Sequence, residues 1–65
     1  MQPFQQRVVD EQTELNEKIV KLEAFLEGDF FKKLPKAEQD RLTMQAIHMN
    51  DYNDVLRDRI RNFTE

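Results

Sequence analysis

Apolar side chains recur along two stretches of this chain at alternating steps of three and four. In Gln39 to Phe63, residues Leu42, Met49, Leu56 and Phe63 stand seven apart, and Gln45, Tyr52 and Arg59 fill the intervening positions. In Phe4 to Leu26 the series runs Phe4, Val8, Glu11, Leu15, Lys18, Leu22, Phe25, with Val9, Ile19 and Leu26 widening it on one side. Such a pattern predicts helices laid along other helices. The wide stripe on the first stretch suits a helix with two partners. The second set of seam positions is polar or amphipathic, and that is where the chemistry has to be sought.

The punctuation agrees with two long helices. Pro3 suits a first helical turn, where its missing N–H is not needed. Gly28, the only glycine, falls just after Leu26 and Glu27, where a left-handed residue would close the first helix. Asp29 is placed to cap a short turn, Asp29 to Leu34, whose Phe30 and Phe31 fold over the end of the pair. Pro35 then starts a helix running to about Asn62, with Glu38 three residues on and Leu34 before it as a staple. A connection this short makes the long helices antiparallel neighbours. Folding the chain about the loop sets Leu22 near Leu42, Leu15 near Met49, Glu11 or Gln12 near Tyr52, Val8 near Leu56 and Phe4 near Ile60. The predicted fold is all-α, a single helical-hairpin domain over residues 1–65.

Length changes this picture. A chain of 65 residues buries too little surface to be comfortable alone, and without cysteine no disulfide or thiolate–metal site can help. The expected state is therefore a homo-oligomeric helical bundle in which a second hydrophobic face is shared. Ala46, Ile47 and Val55 lie off the main seam and are candidates for that face.

Charge and composition exclude several functions. The net charge of −3 argues against non-specific binding to long nucleic acid, which needs a basic footprint. No apolar run approaches a membrane span, and the N-terminus lacks a basic region followed by an apolar one. The expected location is the cytoplasm. His48 is the only histidine and has no cysteine for company, so it reads as a surface or subunit-contact residue and not a metal ligand. Serine is absent, no glycine-rich phosphate loop is present, and no catalytic set emerges. Neither a cofactor nor enzymatic activity is expected.

The candidate binding residues are Glu11, Lys18, Gln45, Tyr52 and Arg59, with Arg7 one step away. Ionisable groups on a seam are costly unless paired. One reading is structural: Tyr52 donates to Glu11, the stems of Lys18 and Arg59 reach to water, and the polar layers fix register. The other is a small-ligand site. An antiparallel hairpin brings Arg7 beside Arg59, two guanidinium groups match phosphate oxygens, and Tyr52 offers a ring for a base. The run Arg57, Arg59, Arg61 is weak as a nucleic-acid patch, because Asp51, Asp54 and Asp58 share the helix. Cations are in any case favoured at a helix C-terminus.

Taken together, Phe4-Gln5-Gln6-Arg7-Val8-Val9-Asp10-Glu11, Glu14-Leu15, Lys18, Lys21-Leu22 and the Met49, Tyr52, Leu56, Arg59-Ile60 ladder resemble a family of very short phage and prophage proteins, found among others in crAss-like phages. The build is also similar, in size, hairpin and oligomer-forming faces, to the sponges with which phages sequester cyclic oligonucleotide signals of bacterial immunity in CBASS and Thoeris counter-defence. The resemblance implies a counter-defence protein that binds a cyclic dinucleotide-type signal without chemistry. In that setting Arg7 and Arg59 would hold phosphates, Tyr52 would stack on a base, and Glu11, Lys18 and Gln45 would orient them. The alternative is an adaptor or inhibitor that docks on a host or phage protein through an exposed stripe of Phe30, Phe31, Ala46, Ile47 and Val55.

Overall fold

A computed structural model describes residues 1–63. Three helices follow one another: α1 over Pro3–Leu26, α2 over Asp29–Lys32 and α3 over Lys36–Arg61. The first and third pack side by side, and the second sits at the closed end of the hairpin.

The start of α1 combines Pro3 in its first turn with a reciprocal contact. Gln5 Oε1 accepts from the Gln2 backbone N–H at 2.8 Å while the Gln5 N–H bonds the Gln2 carbonyl at 3.0 Å. Each satisfies a donor that a helix start leaves without an internal partner. At the other end Gly28 is not left-handed. Its φ of −82° and ψ of 163° are extended, and it is the N-cap of α2. Glu27 closes α1 in an ordinary right-handed conformation, with the Gly28 N–H bonded to the Phe25 carbonyl at 3.0 Å. Asp29 is accordingly the first residue of α2 and not its cap.

Phe30 and Phe31 fold back onto Phe25, with ring centroids 5.9 and 6.3 Å away, in the tilted and edge-on geometries aromatic pairs favour. Pro35 precedes α3 as its N-cap. Glu38 pairs with Arg41 at 2.9 Å. Gln39 ties the corner instead, donating from Nε2 to the Leu34 carbonyl at 2.9 Å and to that of Lys32 at 3.3 Å.

The core differs from the predicted seam at every second position. Val8, Ile19, Ala46 and Leu56 are its buried apolar residues, with Gln5 and Asn53 the buried polar ones. Half-buried Gln12, Leu15, Leu22 and Leu26 complete the inner face of α1, and Gln39, Leu42, Met49 and Ile60 that of α3. The positions shared with the predicted seam are thus Val8, Leu15, Leu22, Leu42, Met49 and Leu56. The alternate set lies one residue later: Gln12 for Glu11, Ile19 for Lys18, Ala46 for Gln45, Asn53 for Tyr52 and Ile60 for Arg59. From Val8 a helix can reach its partner again after three residues or after four. The four-residue choice buries Ile19, Leu26, Ala46 and Ile60 and leaves the charged groups in water, and burial of apolar surface dominates the difference. Ala46 therefore belongs inside the hairpin and not to an exposed stripe.

One polar layer remains inside. Gln12 Nε2 donates to Asn53 Oδ1 at 3.1 Å, which satisfies an asparagine only 4% exposed. At the open end Phe4 meets Phe63 edge-on, with centroids 6.1 Å apart. The hairpin is a rod of 49 × 14 × 13 Å. Its radius of gyration of 15.0 Å compares with about 11 Å for a compact chain of this length.

Candidate functional site

The six predicted site residues Arg7, Glu11, Lys18, Gln45, Tyr52 and Arg59 are all exposed. Being one step off the inner seam, Glu11, Lys18, Gln45, Tyr52 and Arg59 flank it, where a side chain reaches across the groove without being enclosed. The structure joins two of them directly and brings the charge of a third, Arg59, close to them. Tyr52 donates its phenolic hydroxyl to the Glu11 carboxylate across the two helices. That bond, some loss of water and the negative charge of Glu11 raise the Tyr52 pKa above its ordinary value, while the cation of nearby Arg59 pulls it down.

The other three extend the same flank. Arg7 stands one helical turn before Glu11, and Lys18 two turns after it. Gln45 lies two turns before Tyr52 and donates to the Met49 sulfur at 3.8 Å. In an antiparallel pair that sets Glu11 opposite Tyr52, Lys18 comes level with Gln45, and Arg59 with Phe4. No bond joins Lys18, Gln45 or Arg7 to the Glu11–Tyr52–Arg59 group among the described residues.

The opposite flank holds a concavity that the sequence reading missed. It is an open hollow of about 700 Å³ lined by Gln12, Asp54, Arg57, Ile60 and Arg61, a volume within the ordinary range for small-ligand clefts of about 300–1,000 Å³. None of the six predicted residues lines it. Arg57 and Arg61 are four residues apart and so share a face, whereas Arg59 between them points about 200° away. The spacing itself carries the signal, since residues four apart share a helix face and a residue midway between them does not, so the run is not a single patch. Arg61 is also bonded to Asp58 at 2.7 Å, and both are exposed. The groove thus carries arginine on both sides, with the neutral Gln12–Asn53 layer between.

Among the described residues no three potential metal-ligating side chains converge, and no helix is long and apolar enough to cross a membrane.

Fold and surface together define a small all-α hairpin whose groove is flanked by polar, cationic and aromatic side chains. The chain belongs to the Sequestin family, whose model matches residues 2–62. The family's name points to sequestration. Comparison with curated proteins and with solved structures gives no match.

Proposed function

We propose that this protein is a phage-encoded sponge that holds a cyclic dinucleotide-type immune signal in the host cytoplasm without altering it, and that it acts as a homo-oligomer. The observation that carries the reading is the Glu11–Tyr52–Arg59 group. It spans both helices on an open flank, with Tyr52 46% exposed. Arg59 and Arg7 supply guanidinium groups for phosphate oxygens. Tyr52 supplies a ring face for a base, with its hydroxyl anchored by Glu11. Lys18 and Gln45 extend the flank with a further cation and an amide able to read base edges. Sequestration asks for affinity alone, and membership of the Sequestin family supports it.

Calorimetry with a panel of cyclic di- and trinucleotides tests this directly. Saturable binding of at least one is expected, and absence of heat and of thermal stabilisation with all of them removes the proposal. Each of Arg7→Ala and Arg59→Ala is expected to weaken binding about tenfold or more, as loss of a charge-assisted hydrogen bond does. If Arg57→Ala and Arg61→Ala weaken it instead, the ligand lies in the opposite concavity.

The exposure of Phe30 (62%) supports a second reading, a protein partner docking at the closed end of the hairpin. Loss of activity on Phe30→Ala, with Arg7→Ala and Arg59→Ala silent, would favour it.

A further inference from the structure

The outward face of α3 carries a second seven-residue repeat that the hairpin does not use. Arg41, Met44, His48, Asp51, Val55 and Asp58 follow one another at steps of three and four, and all are exposed. They lie two residues on from inner positions of the helix, which at 100° per residue is the opposite face. Met44 and Val55 are 49% and 56% exposed. We infer that this face is where a second copy of the chain packs, with its own α3 antiparallel and the two-fold axis crossing the outward face at the level of Met49 and Asn50.

The charge sequence selects both the partner and its direction. In an antiparallel coiled coil each seam residue shares a layer with one equally far on the other side of the axis. Here Met44 meets Val55 of the second copy, His48 meets Asp51, and Arg41 meets Asp58. The layers are apolar with apolar, an imidazole with a carboxylate it can hydrogen-bond, and a guanidinium with a carboxylate. Of the residues bordering the seam, Glu38 faces Arg59 of the second copy and Asp40 faces Arg61, while Ile47 faces Asp54 without a matching charge. A parallel in-register pair would instead set Arg41, Asp51 and Asp58 each against its own copy, three like-charged or identical layers. In the single chain Arg41, Asp40 and Arg61 have only exposed partners within their own helix, at 2.9, 2.6 and 2.7 Å, contacts of little worth in water.

The need for a partner is visible in the surface. The chain exposes 5102 Å², against about 4,400 Å² for a compact protein of its mass. A pairing along α3 removes water from Met44 and Val55, two of the apolar side chains that the hairpin leaves exposed on that helix. It also brings Gln45 of the second copy beside Tyr52, so that the Glu11–Tyr52–Arg59 flank is completed by two chains. That last consequence rests on the ligand reading above; the interface does not.

Sedimentation equilibrium decides the matter. The wild-type chain is expected to be a dimer. Arg41→Asp and Asp58→Arg, which each create two like-charged layers, should weaken it about tenfold, and the two combined should restore it. A monomer at all concentrations, a dimer indifferent to both reversals, or a combined variant no better than either single one with helical circular dichroism intact would overturn the interface. If a single reversal loses its helicity, cysteine pairing decides, since the native chain has no thiol. A mixture of Met44→Cys and Val55→Cys chains should oxidise to a mixed disulfide dimer while neither forms one alone; self-linking of Met44→Cys chains contradicts the register. Arg41→Asp measured by calorimetry separates the two ideas. A monomer that still binds its nucleotide with one-chain affinity confines the site to a single hairpin, and a wild-type dimer that binds none leaves the interface standing without the sponge.

Discussion

Tyr52 is one of the side chains through which the two long helices meet in the open, Asn50 with Glu23 being another. Its bond to Glu11 favours the neutral phenol and raises its pKa, so the stabilisation it contributes is fully present below the ordinary value of 10.0 and is lost as pH rises through the higher folded-state value. Being the only tyrosine, it can be followed by tyrosinate absorbance. The midpoint is expected above the ordinary value, and Glu11→Ala should bring it back down. A wild-type midpoint at or below the ordinary value would show the bond absent in solution. Gly28 makes a second residue-scale point. Its backbone is extended, and an added Cβ would stand 3.4 Å from the Phe25 carbonyl, ordinary contact. Gly28→Ala should therefore be neutral or stabilising by about 0.4–1 kcal/mol, through the lower entropy of the unfolded chain, in a denaturant melt. A left-handed cap would have made the same change costly. The sequence shows a glycine at a helix end; whether its freedom is used depends on how the following turn docks its aromatic rings.

Between the elements, Leu56 and the Gln12–Asn53 layer divide two tasks. Leu56 is fully buried, at 0% exposure, and Leu56→Ala should cost about 2–5 kcal/mol, a large share of what so small a domain has. Asn53→Ala leaves Gln12 without its partner and should cost about 1–3 kcal/mol. Replacing Gln12 and Asn53 together by leucine should recover that loss or exceed it, while relaxing the register that one polar layer imposes. Thermal melts with and without the pair distinguish these outcomes. The helix boundaries, the antiparallel order and one of the two heptad sets were legible from periodicity, prolines and loop length. The other set was misplaced by one residue because steps of three and four are equally helical. The choice lay in the summed burial of Ile19, Leu26, Ala46 and Ile60, which becomes evident only when both helices are compared at once.

As a whole the molecule is a thin rod with more exposed surface than its mass warrants. If α3 pairs with a second copy, folding and association are linked, and the apparent melting temperature should rise with chain concentration. A concentration-independent melting temperature would speak for a self-sufficient hairpin. A bound nucleotide should raise it further, by an amount that grows with ligand concentration.

The chain's linear order by itself determined that there would be two long antiparallel helices with a short aromatic turn between them, because periodicity, helix caps and loop length act over a few neighbouring residues. It also set Tyr52 level with Glu11 or Gln12, a choice that the packed hairpin made for Glu11. Only the packed hairpin decided which residues line the groove and which stand beside it. A step of one residue turns a side chain through 100°, and the direction that wins is set by what the opposite helix presents. Helix geometry already puts Arg57 and Arg61 on one side and Arg59 on the other; only the packing of α1 against α3 turns those sides into the two flanks of one groove.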